Sequence, residues 1–226
     1  MIDFDISITS YCNAACPSCK RYPDFGDPFI DPNQKLHQNL NQIHMNFDMF
    51  KKVIEDNLKN FYNKNVSYEG ELGDPLVPPK IKSFINYGCK IFNKLLVVTN
   101  GGNRKTNFYQ DLGNTYTNLE MIFSIDGLHD DTNGIYRKRV NTKRALDNMI
   151  TFANTRPNKT YWQFLVFEHN FFEIPEVLEL SEKYKIKVYI KINQRPKFKI
   201  SNKRFDIAKK LYNDNKTNFS EFLMAN

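Results

Sequence analysis

The stretch Tyr11-Cys12-Asn13-Ala14-Ala15-Cys16-Pro17-Ser18-Cys19-Lys20-Arg21 contains three of the four cysteines of the chain. In a chain without an export signal, closely spaced thiols indicate metal or redox chemistry rather than disulfide bonds. The spacing is C-x3-C-x2-C, so the three thiolates can converge on a single point. This cysteine stretch is therefore the starting point for predicting both fold and chemistry.

The ligand set is incomplete for the usual metal sites. A structural zinc site normally takes four protein ligands, often from a second pair of cysteines or histidines, and this sequence has no such pair. A four-iron, four-sulfur cluster usually takes four cysteines, so with three of them one iron keeps an open position for a small molecule. The histidines are scattered singly, and we interpret each as a surface or core residue: His37, His44, His129 and His169.

The composition is that of a folded protein. The 226 residues are 41% hydrophobic and 14% aromatic, which supplies enough apolar area for a core and excludes disorder. No run approaches the roughly 20 apolar residues that a membrane span needs. The first ten residues, MIDFDISITS, have no basic region and no cleavage site, so we expect a cytoplasmic protein.

The net charge is moderately positive, at +7. Such a charge fits an anionic substrate or partner, for example a phosphate, a carboxylate or a nucleic acid. It fits equally a soluble protein with many lysines and asparagines. We favour the second interpretation, because net charge affects solubility and encounter rather than chemistry.

Strand and helix patterns alternate along the chain. Hydrophobic periodicity predicts strands at residues 3–8, 65–69, 94–99, 120–125, 160–167 and 187–192. Six strands alternating with helices imply a parallel sheet that curls toward a barrel, but six units are fewer than the eight of a complete barrel. The predicted fold is α/β, a partial (β/α)6 TIM barrel that is laterally open and forms a single domain.

The helices are predicted from apolar stripes. One helix is expected over residues 47–61, another begins after Thr142 as its N-cap, and a third opens at residues 78–80, where proline is tolerated. Cys89 falls in a helical segment and is expected to pack as a small hydrophobe. The final helix is predicted over residues 202–212, followed by a polar tail at 213–226.

One long irregular stretch, residues 10–46, separates the first strand from the first helix. Loops of this length in compact domains are usually functional or disordered. This loop begins with the cysteines and leaves the C-terminal end of a strand, where parallel α/β folds collect ligands. We therefore divide the chain into a core domain, residues 1–200, with its cluster loop at 10–46, and a C-terminal helix and short tail, residues 201–226.

Short motifs also follow the later strands. They are, in order, Glu71-Leu72-Gly73-Asp74-Pro75-Leu76, Thr99-Asn100-Gly101, Ser124-Ile125-Asp126-Gly127, Ile135-Tyr136-Arg137 and Phe164-Leu165-Val166-Phe167-Glu168-His169-Asn170. Together with the cysteine loop, this series resembles the core of the radical S-adenosylmethionine (radical SAM) superfamily. It is most similar to the subgroup that usually carries a C-terminal SPASM or Twitch extension, and the resemblance spans about residues 3–192.

The resemblance implies the cofactors and the reaction. Cys12, Cys16 and Cys19 would hold a [4Fe–4S] cluster whose open iron chelates the amino and carboxylate groups of S-adenosylmethionine. An electron from an external one-electron reductant would break the bond from sulfur to C5′, and the resulting 5′-deoxyadenosyl radical would abstract a hydrogen from the substrate. No catalytic residue is expected beyond the cluster ligands, because the cofactor performs the difficult chemistry.

The resemblance also implies contacts to S-adenosylmethionine. The turn at Gly73 would expose backbone carbonyls to the methionine amino group, and Arg137 would bind the carboxylate with its planar guanidinium. Ser124 would face the cavity and bind ribose or carboxylate. The residues alone leave open an ordinary turn, a loop cap and a solvated charge at these three positions. The complete predicted set is Glu71, Gly73, Asp74, Asn100, Ser124, Asp126 and Arg137, with Asn100 and Glu71 as candidates for ribose contacts and Asp126 facing the cavity beside Ser124.

The sequence departs from the family pattern at several points. Leu72 replaces the first glycine of the Gly-Gly-Glu-Pro turn, and Asp74 replaces its glutamate. Ser18 stands where many members have an aromatic residue near the adenine, which leaves that packing to Tyr11 or to the main chain at 190–192. No cysteine follows Cys89, so auxiliary clusters are not expected. The resemblance then implies a bare catalytic core whose open side is covered by its substrate or by a partner protein.

Three functions remain open at this point. The motifs favour a radical SAM enzyme that modifies a peptide or protein side chain. The alternative is radical modification of a small phosphorylated or nucleotide substrate, supported by basic residues at 137–144 and by Arg195, Lys197 and Lys199. The third is a non-catalytic module that only binds a cluster, although it would have no use for Ser124, Asp126 and Arg137.

Overall fold

Seven parallel strands form one sheet in the computed structural model, which describes residues 1–22, 36–193 and 200–224. Each strand pairs with the next strand along the chain, so the strand order in the sheet equals the sequence order. The strands are β1 (Phe4–Asp5), β2 (Asn65–Tyr68), β3 (Lys94–Thr99), β4 (Leu119–Ser124), β5 (Thr160–Val166), β6 (Lys187–Ile192) and β7 (Ser220–Met224).

Helices make the crossovers between the strands, as parallel pairing requires. Within the described part of the chain, every helix is too short or too polar to span a bilayer. The helices are α1 (Phe47–Asp56), α2 (Leu58–Phe61), α3 (Ile81–Ile91), α4 (Thr106–Thr115), α5 (Asp130–Tyr136), α6 (Thr142–Thr155), α7 (Ile174–Tyr184) and α8 (Asn202–Asn215), with a short 3-10 helix, Phe171–Glu173, before α7.

The two faces of the sheet have different surroundings. In β3, Leu95 and Val97 are fully buried in the hydrophobic core, whereas the alternate residues Leu96 and Val98 are only half-buried, and Val98 lines a cavity. The strand alternation therefore directs one face to the core and the other to an open, concave surface. The sheet is not closed, which confirms the predicted laterally open partial barrel in one α/β domain.

The predicted polar tail is wrong at its end, because residues 220–224 form β7. This strand pairs in parallel with β6, in the register Val188 with Ser220 and Ile192 with Met224. Phe222 of β7 packs against Tyr212 of α8, with the ring centroids 5.1 Å apart. The apolar run of β7, residues 222–224, is too short to show the periodicity of a strand. Helix α8 extends to Asn215, and the chain then returns to the sheet. The C-terminal segment is thus part of the same sheet.

The first strand is shorter than predicted. Only Phe4–Asp5 is assigned to β1, against the expected residues 3–8. After this pair the chain turns toward the far end of the cysteine loop: the Met45 N–H donates to the Ile8 carbonyl at 2.9 Å, and Thr9 and His44 form an antiparallel bridge. Backbone groups that would extend the strand bind this loop instead.

Three helix starts and breaks also differ from the prediction. The stripe over residues 47–61 is split at Asn57, whose side chain donates to the Val53 carbonyl and competes with the helical backbone. Asn141, not Thr142, is the N-cap of α6, accepting from the Arg144 N–H at 2.8 Å. Residues 78–80 precede α3 rather than open it.

Phe222 provides a test of the seventh strand. We expect Phe222→Ala to lower the free energy of unfolding by about 2 kcal/mol, because it removes a half-buried ring from the α8–β7 contact. Urea unfolding measures the difference. Phe172→Ala is the matched control, since that ring is 57% exposed and its loss should cost no more than about 0.5 kcal/mol. Equal stability of the two variants would contradict this placement of β7.

Candidate functional site

A cavity of about 410 Å³ opens at the C-terminal ends of the central strands. All three cysteines of the loop line it, together with residues that follow or end β2, β3, β4 and β5. Nine of the ten predicted site residues line this cavity: Cys12, Cys16, Cys19, Glu71, Gly73, Asp74, Asn100, Ser124 and Arg137. Asp126 is the exception.

The cysteine loop is fixed by its own backbone and by a neighbouring element. The Cys19 N–H donates to the Cys16 carbonyl at 3.0 Å, which forms a tight turn between these ligands. The Ala15 N–H donates to the Lys138 carbonyl at 2.9 Å, and this bond ties the loop to the segment after α5. The three thiols are thus presented to the cavity by an anchored loop.

Gly73 allows the turn after β2 to approach the cysteine loop. The Asp74 N–H donates to the Tyr11 carbonyl at 2.8 Å. A Cβ atom added at Gly73 would lie 2.8 Å from the same carbonyl oxygen and in closer conflict with that of Thr9. The absence of a side chain is therefore what brings two backbones together here, while the predicted contact of this turn with S-adenosylmethionine stays a prediction.

The Asp74 carboxylate is fully used inside the protein. It accepts hydrogen bonds from the Thr99 hydroxyl at 2.9 Å, from the Asn100 N–H at 2.8 Å and from the Leu76 N–H at 3.0 Å. Burial raises the pKa of Asp74, although these donors act in the opposite direction. The carboxylate therefore holds the turn after β2 against the end of β3.

Asn100 also binds the loop. Its amide nitrogen donates to the Asn13 side-chain oxygen at 2.9 Å and lies 3.7 Å from the sulfur of Cys12. Its amide oxygen accepts from the Gly102 N–H at 2.9 Å. The predicted ribose contact would have to compete with these bonds, so the geometry favours a role in positioning Cys12.

Asp126 does not face the cavity as predicted. Its side chain is completely buried, and its two oxygens accept from the Leu165 N–H at 2.9 Å and from the Arg137 Nε at 2.6 Å. The ion pair explains the placement, because a buried carboxylate needs a charged or hydrogen-bonding partner. Asp126 is therefore a positioning residue that orients Arg137.

Arg137 lies between Asp126 and the cysteines. Its Nη1 lies 3.9 Å from the sulfur of Cys16, and its side chain lines the cavity. Burial alone would lower the pKa of the guanidinium, but the Asp126 carboxylate together with the side chains of Cys16 and Tyr136 outweighs burial, and the pKa is raised. Arg137 thus remains a cation, with part of its guanidinium directed to the site.

Glu71 and Ser124 differ in burial. Glu71 is exposed at the rim, where it forms an ion pair with Lys20, the residue after Cys19. Ser124 is buried at the end of β4 and borders the cavity with Gln163 of β5. Ser124 can therefore contact a bound molecule without displacing a surface ion pair.

The residues that line the cavity are suited to binding a group that contains metal. The hydroxyl of Ser18 is buried, borders the cavity and has no hydrogen-bond partner among the described residues. Burial raises the pKa of Cys12 to about 12 and also raises that of Cys16, so both thiols are neutral unless a metal binds them. The donor set, three thiols and no histidine among the lining residues described, fits an iron–sulfur cluster.

A single metal ion is a poorer fit. In residues 1–22, 36–193 and 200–224, no three His, Cys, Asp or Glu side chains lie close enough together to hold one ion. In a four-iron cluster each cysteine binds a different iron, so the thiols lie farther apart than the ligands of one ion. The assignment of Cys12, Cys16 and Cys19 as cluster ligands stays a prediction.

Arg21 was not predicted as a site residue. Its side chain is only 3% exposed and lines the cavity, and its Nε lies 3.4 Å from the sulfur of Cys19. The available sequence signal was a basic residue two positions after a metal ligand. Basic residues are usually solvated, so this signal alone could not distinguish a buried arginine from a surface one.

Comparison with known proteins identifies the fold. No family profile and no curated protein sequence matches the chain. Streptococcus suis SuiB bound to S-adenosylmethionine superposes with a TM-score of 0.69 at 14% identity, over 99% of this chain and 50% of SuiB. The structure of anSMEcpe with bound S-adenosylmethionine gives 0.67 at 13% identity, over 93% of this chain and 57% of that chain. TYW1 with a lysine-pyruvate adduct gives 0.50 at 14% identity, over 90% and 70%.

These likenesses show that the chain has the fold of radical SAM enzymes. The fold expected from the sequence resemblance is thus confirmed. The chain spans about half the length of SuiB, and membership of the SPASM or Twitch subgroup stays a prediction.

The close approach at Gly73 can be tested. We expect Gly73→Ala to lower the free energy of unfolding by about 1–3 kcal/mol, because the new Cβ forces the turn away from the backbone of the cysteine loop. Gly134→Ala is the control: it lies in α5 with open space around its Cβ, and alanine favours a helix. The measurements are urea unfolding of the cluster-free protein and iron content after reconstitution. Wild-type values for Gly73→Ala would show that the two backbones are not in contact.

Proposed function

We propose that this protein is a radical SAM enzyme that abstracts a hydrogen atom from a peptide or protein side chain. Cys12, Cys16 and Cys19 would hold a [4Fe–4S] cluster, and S-adenosylmethionine would bind beside it. The observation that supports this most directly is the convergence of the three cysteines, the Gly73 turn and Arg137 on one cavity at the strand ends. This location is where parallel α/β folds place their reactive groups.

When bound, the cluster supplies an electron that cleaves S-adenosylmethionine to methionine and a 5′-deoxyadenosyl radical. The chain supplies binding and orientation. Arg137 is held at Nε by Asp126, so its remaining N–H groups are available to the S-adenosylmethionine carboxylate. The main chain at Gly73 is held against the loop and offers carbonyl groups to the amino group. Ser124, at the end of β4, provides a hydroxyl for the ribose.

A peptide substrate is supported by two of the similar structures. SuiB has been solved bound to precursor peptide SuiA, and anSMEcpe with Cp18Cys and Kp18Cys peptides. The concave face of the sheet is open in this chain and offers an extended molecule access to the cavity. An external reductant, and a partner or substrate that covers the open side, belong to this proposal.

The alternative, a small phosphorylated or nucleotide substrate, was supported by the basic residues at 137–144 and by those after the sixth strand. In the described residues the run at 137–144 is divided: Arg137 is buried against Asp126, and Lys143 is exposed and paired with Asp147. Arg195, Lys197 and Lys199 lie outside the described residues. Nothing in the geometry therefore favours an anion site over a peptide site.

Cluster formation and radical initiation can be tested together. After anaerobic reconstitution with iron and sulfide and reduction with dithionite, we expect S-adenosylmethionine to yield 5′-deoxyadenosine and methionine. Cys16→Ala should lose both cluster and products, because it removes a ligand. Cys89→Ala should retain both, since Cys89 lies in α3 and does not line the cavity. A Cys16→Ala variant with full iron and sulfide would refute the ligand assignment.

Arg137 can be tested by binding. We expect Arg137→Ala to weaken S-adenosylmethionine binding by about 1.5–3 kcal/mol, the usual range for hydrogen bonds to charged groups. Arg144→Ala is the control, because Arg144 is an exposed residue of the same basic run. Calorimetric titration of the reconstituted protein measures both, with circular dichroism to show that each variant is folded. Unchanged affinity in the folded Arg137→Ala variant would exclude it from the site.

A further inference from the structure

Among the described residues, the buried cation Arg21 has no acidic partner. Its side chain is 3% exposed, and no carboxylate lies within ion-pair distance of it among the described residues. Arg137, the other arginine that lines the cavity, is paired with Asp126. The charge of Arg137 is therefore balanced by a carboxylate, whereas no described carboxylate balances the charge of Arg21.

Within the described residues, the Arg21 side chain contacts the start of the cysteine loop and the neighbouring Tyr22. Nε lies 3.4 Å from the sulfur of Cys19, Nη1 lies 3.5 Å from the Cys12 carbonyl oxygen, and Nη2 donates to the Ala14 carbonyl. The guanidinium also lies over the ring of Tyr22, at 5.5 Å from its centroid. Arg21 therefore spans the loop from its first cysteine to its third and is held in one position.

Burying an unpaired charge is costly, and the cost remains unless an opposite charge is supplied. The carbonyl oxygens hydrogen-bond to the guanidinium but do not neutralise it. A group that places negative charge at the cysteines would do so. Three thiolates on a cluster carry such a charge, and one of their sulfur atoms is already within hydrogen-bonding distance of Arg21.

We propose that Arg21 is the counter-cation of the cluster site and raises the reduction potential of the bound cluster through its charge and its N–H···S bond to Cys19. The inference rests on the proposed function, because it needs a cluster at the three cysteines. Reduction adds one electron from the external reductant, and no covalent bond forms or breaks at Arg21. Its positive charge stabilises the added negative charge, and hydrogen bonds to the sulfurs act in the same direction.

The experiment is a redox titration followed by electron paramagnetic resonance, using the reconstituted full chain without S-adenosylmethionine. Arg21→Gln removes the charge and keeps a polar side chain, and Arg21→Lys keeps the charge without the planar guanidinium. Arg104→Gln is the matched control, because Arg104 is half-buried and, like Arg21, bonded to carbonyl groups, those of residues 76–78, but does not line the cavity. Iron and sulfide content is measured for every variant.

We expect Arg21→Gln to hold the cluster with a more negative midpoint potential than wild type. Arg21→Lys should lie between the two, and Arg104→Gln should equal wild type. If Arg21→Gln takes up no cluster, the Arg21→Lys variant distinguishes the charge of the side chain from its shape. A cluster retained in Arg21→Lys with a midpoint potential near wild type supports the role of the charge.

Two results would overturn the inference. The first is a fully loaded Arg21→Gln variant with the wild-type potential. The second is loss of the cluster in both Arg21 variants while circular dichroism shows a folded chain, because the shape of the guanidinium rather than its charge would then be essential. A wild-type chain that binds no iron and sulfide would instead refute the proposed function itself.

Discussion

The buried residue Asp74 connects three chain segments that are far apart in the sequence, through its carboxylate and its backbone. Its oxygens bind the hydroxyl of Thr99 and the N–H of Asn100 at the end of β3, and its own N–H binds the carbonyl of Tyr11 beside the first cysteine. Asn100, placed in this way, reaches the sulfur of Cys12. The position of the first thiol thus depends on hydrogen bonds made by a residue some sixty positions away in the chain.

Much of the fold was predictable, because its signals are periodic and local. The strand at 94–99 and the strand at 187–192 have the predicted bounds, since each is an apolar run between polar segments. The exceptions have physical causes. The first strand is short because its later residues bind the returning loop, and β7 was missed because its sequence, SEFLM, does not alternate apolar and polar residues.

The residues of the site were predictable, but several of their contacts were not. Motifs at strand ends place Gly73 and Arg137 at the same cavity without any knowledge of side-chain direction. Alternation along a strand does not determine how the residues beyond its end are oriented, so Asp126 was expected in the cavity and instead lies beneath it. Arg21 was missed for a related reason, since only three-dimensional packing shows that a basic residue is buried.

The strict agreement between strand order and sequence order has a consequence for biogenesis. Each strand emerging from the ribosome can add to the edge left by the one before it, without waiting for a later segment. The cysteines are synthesised first, yet their surroundings include Arg137 and Leu165, which are made much later. Throughout that interval the nascent thiols lack their cavity. The proposed cluster would therefore have its complete surroundings only after β5 has been made.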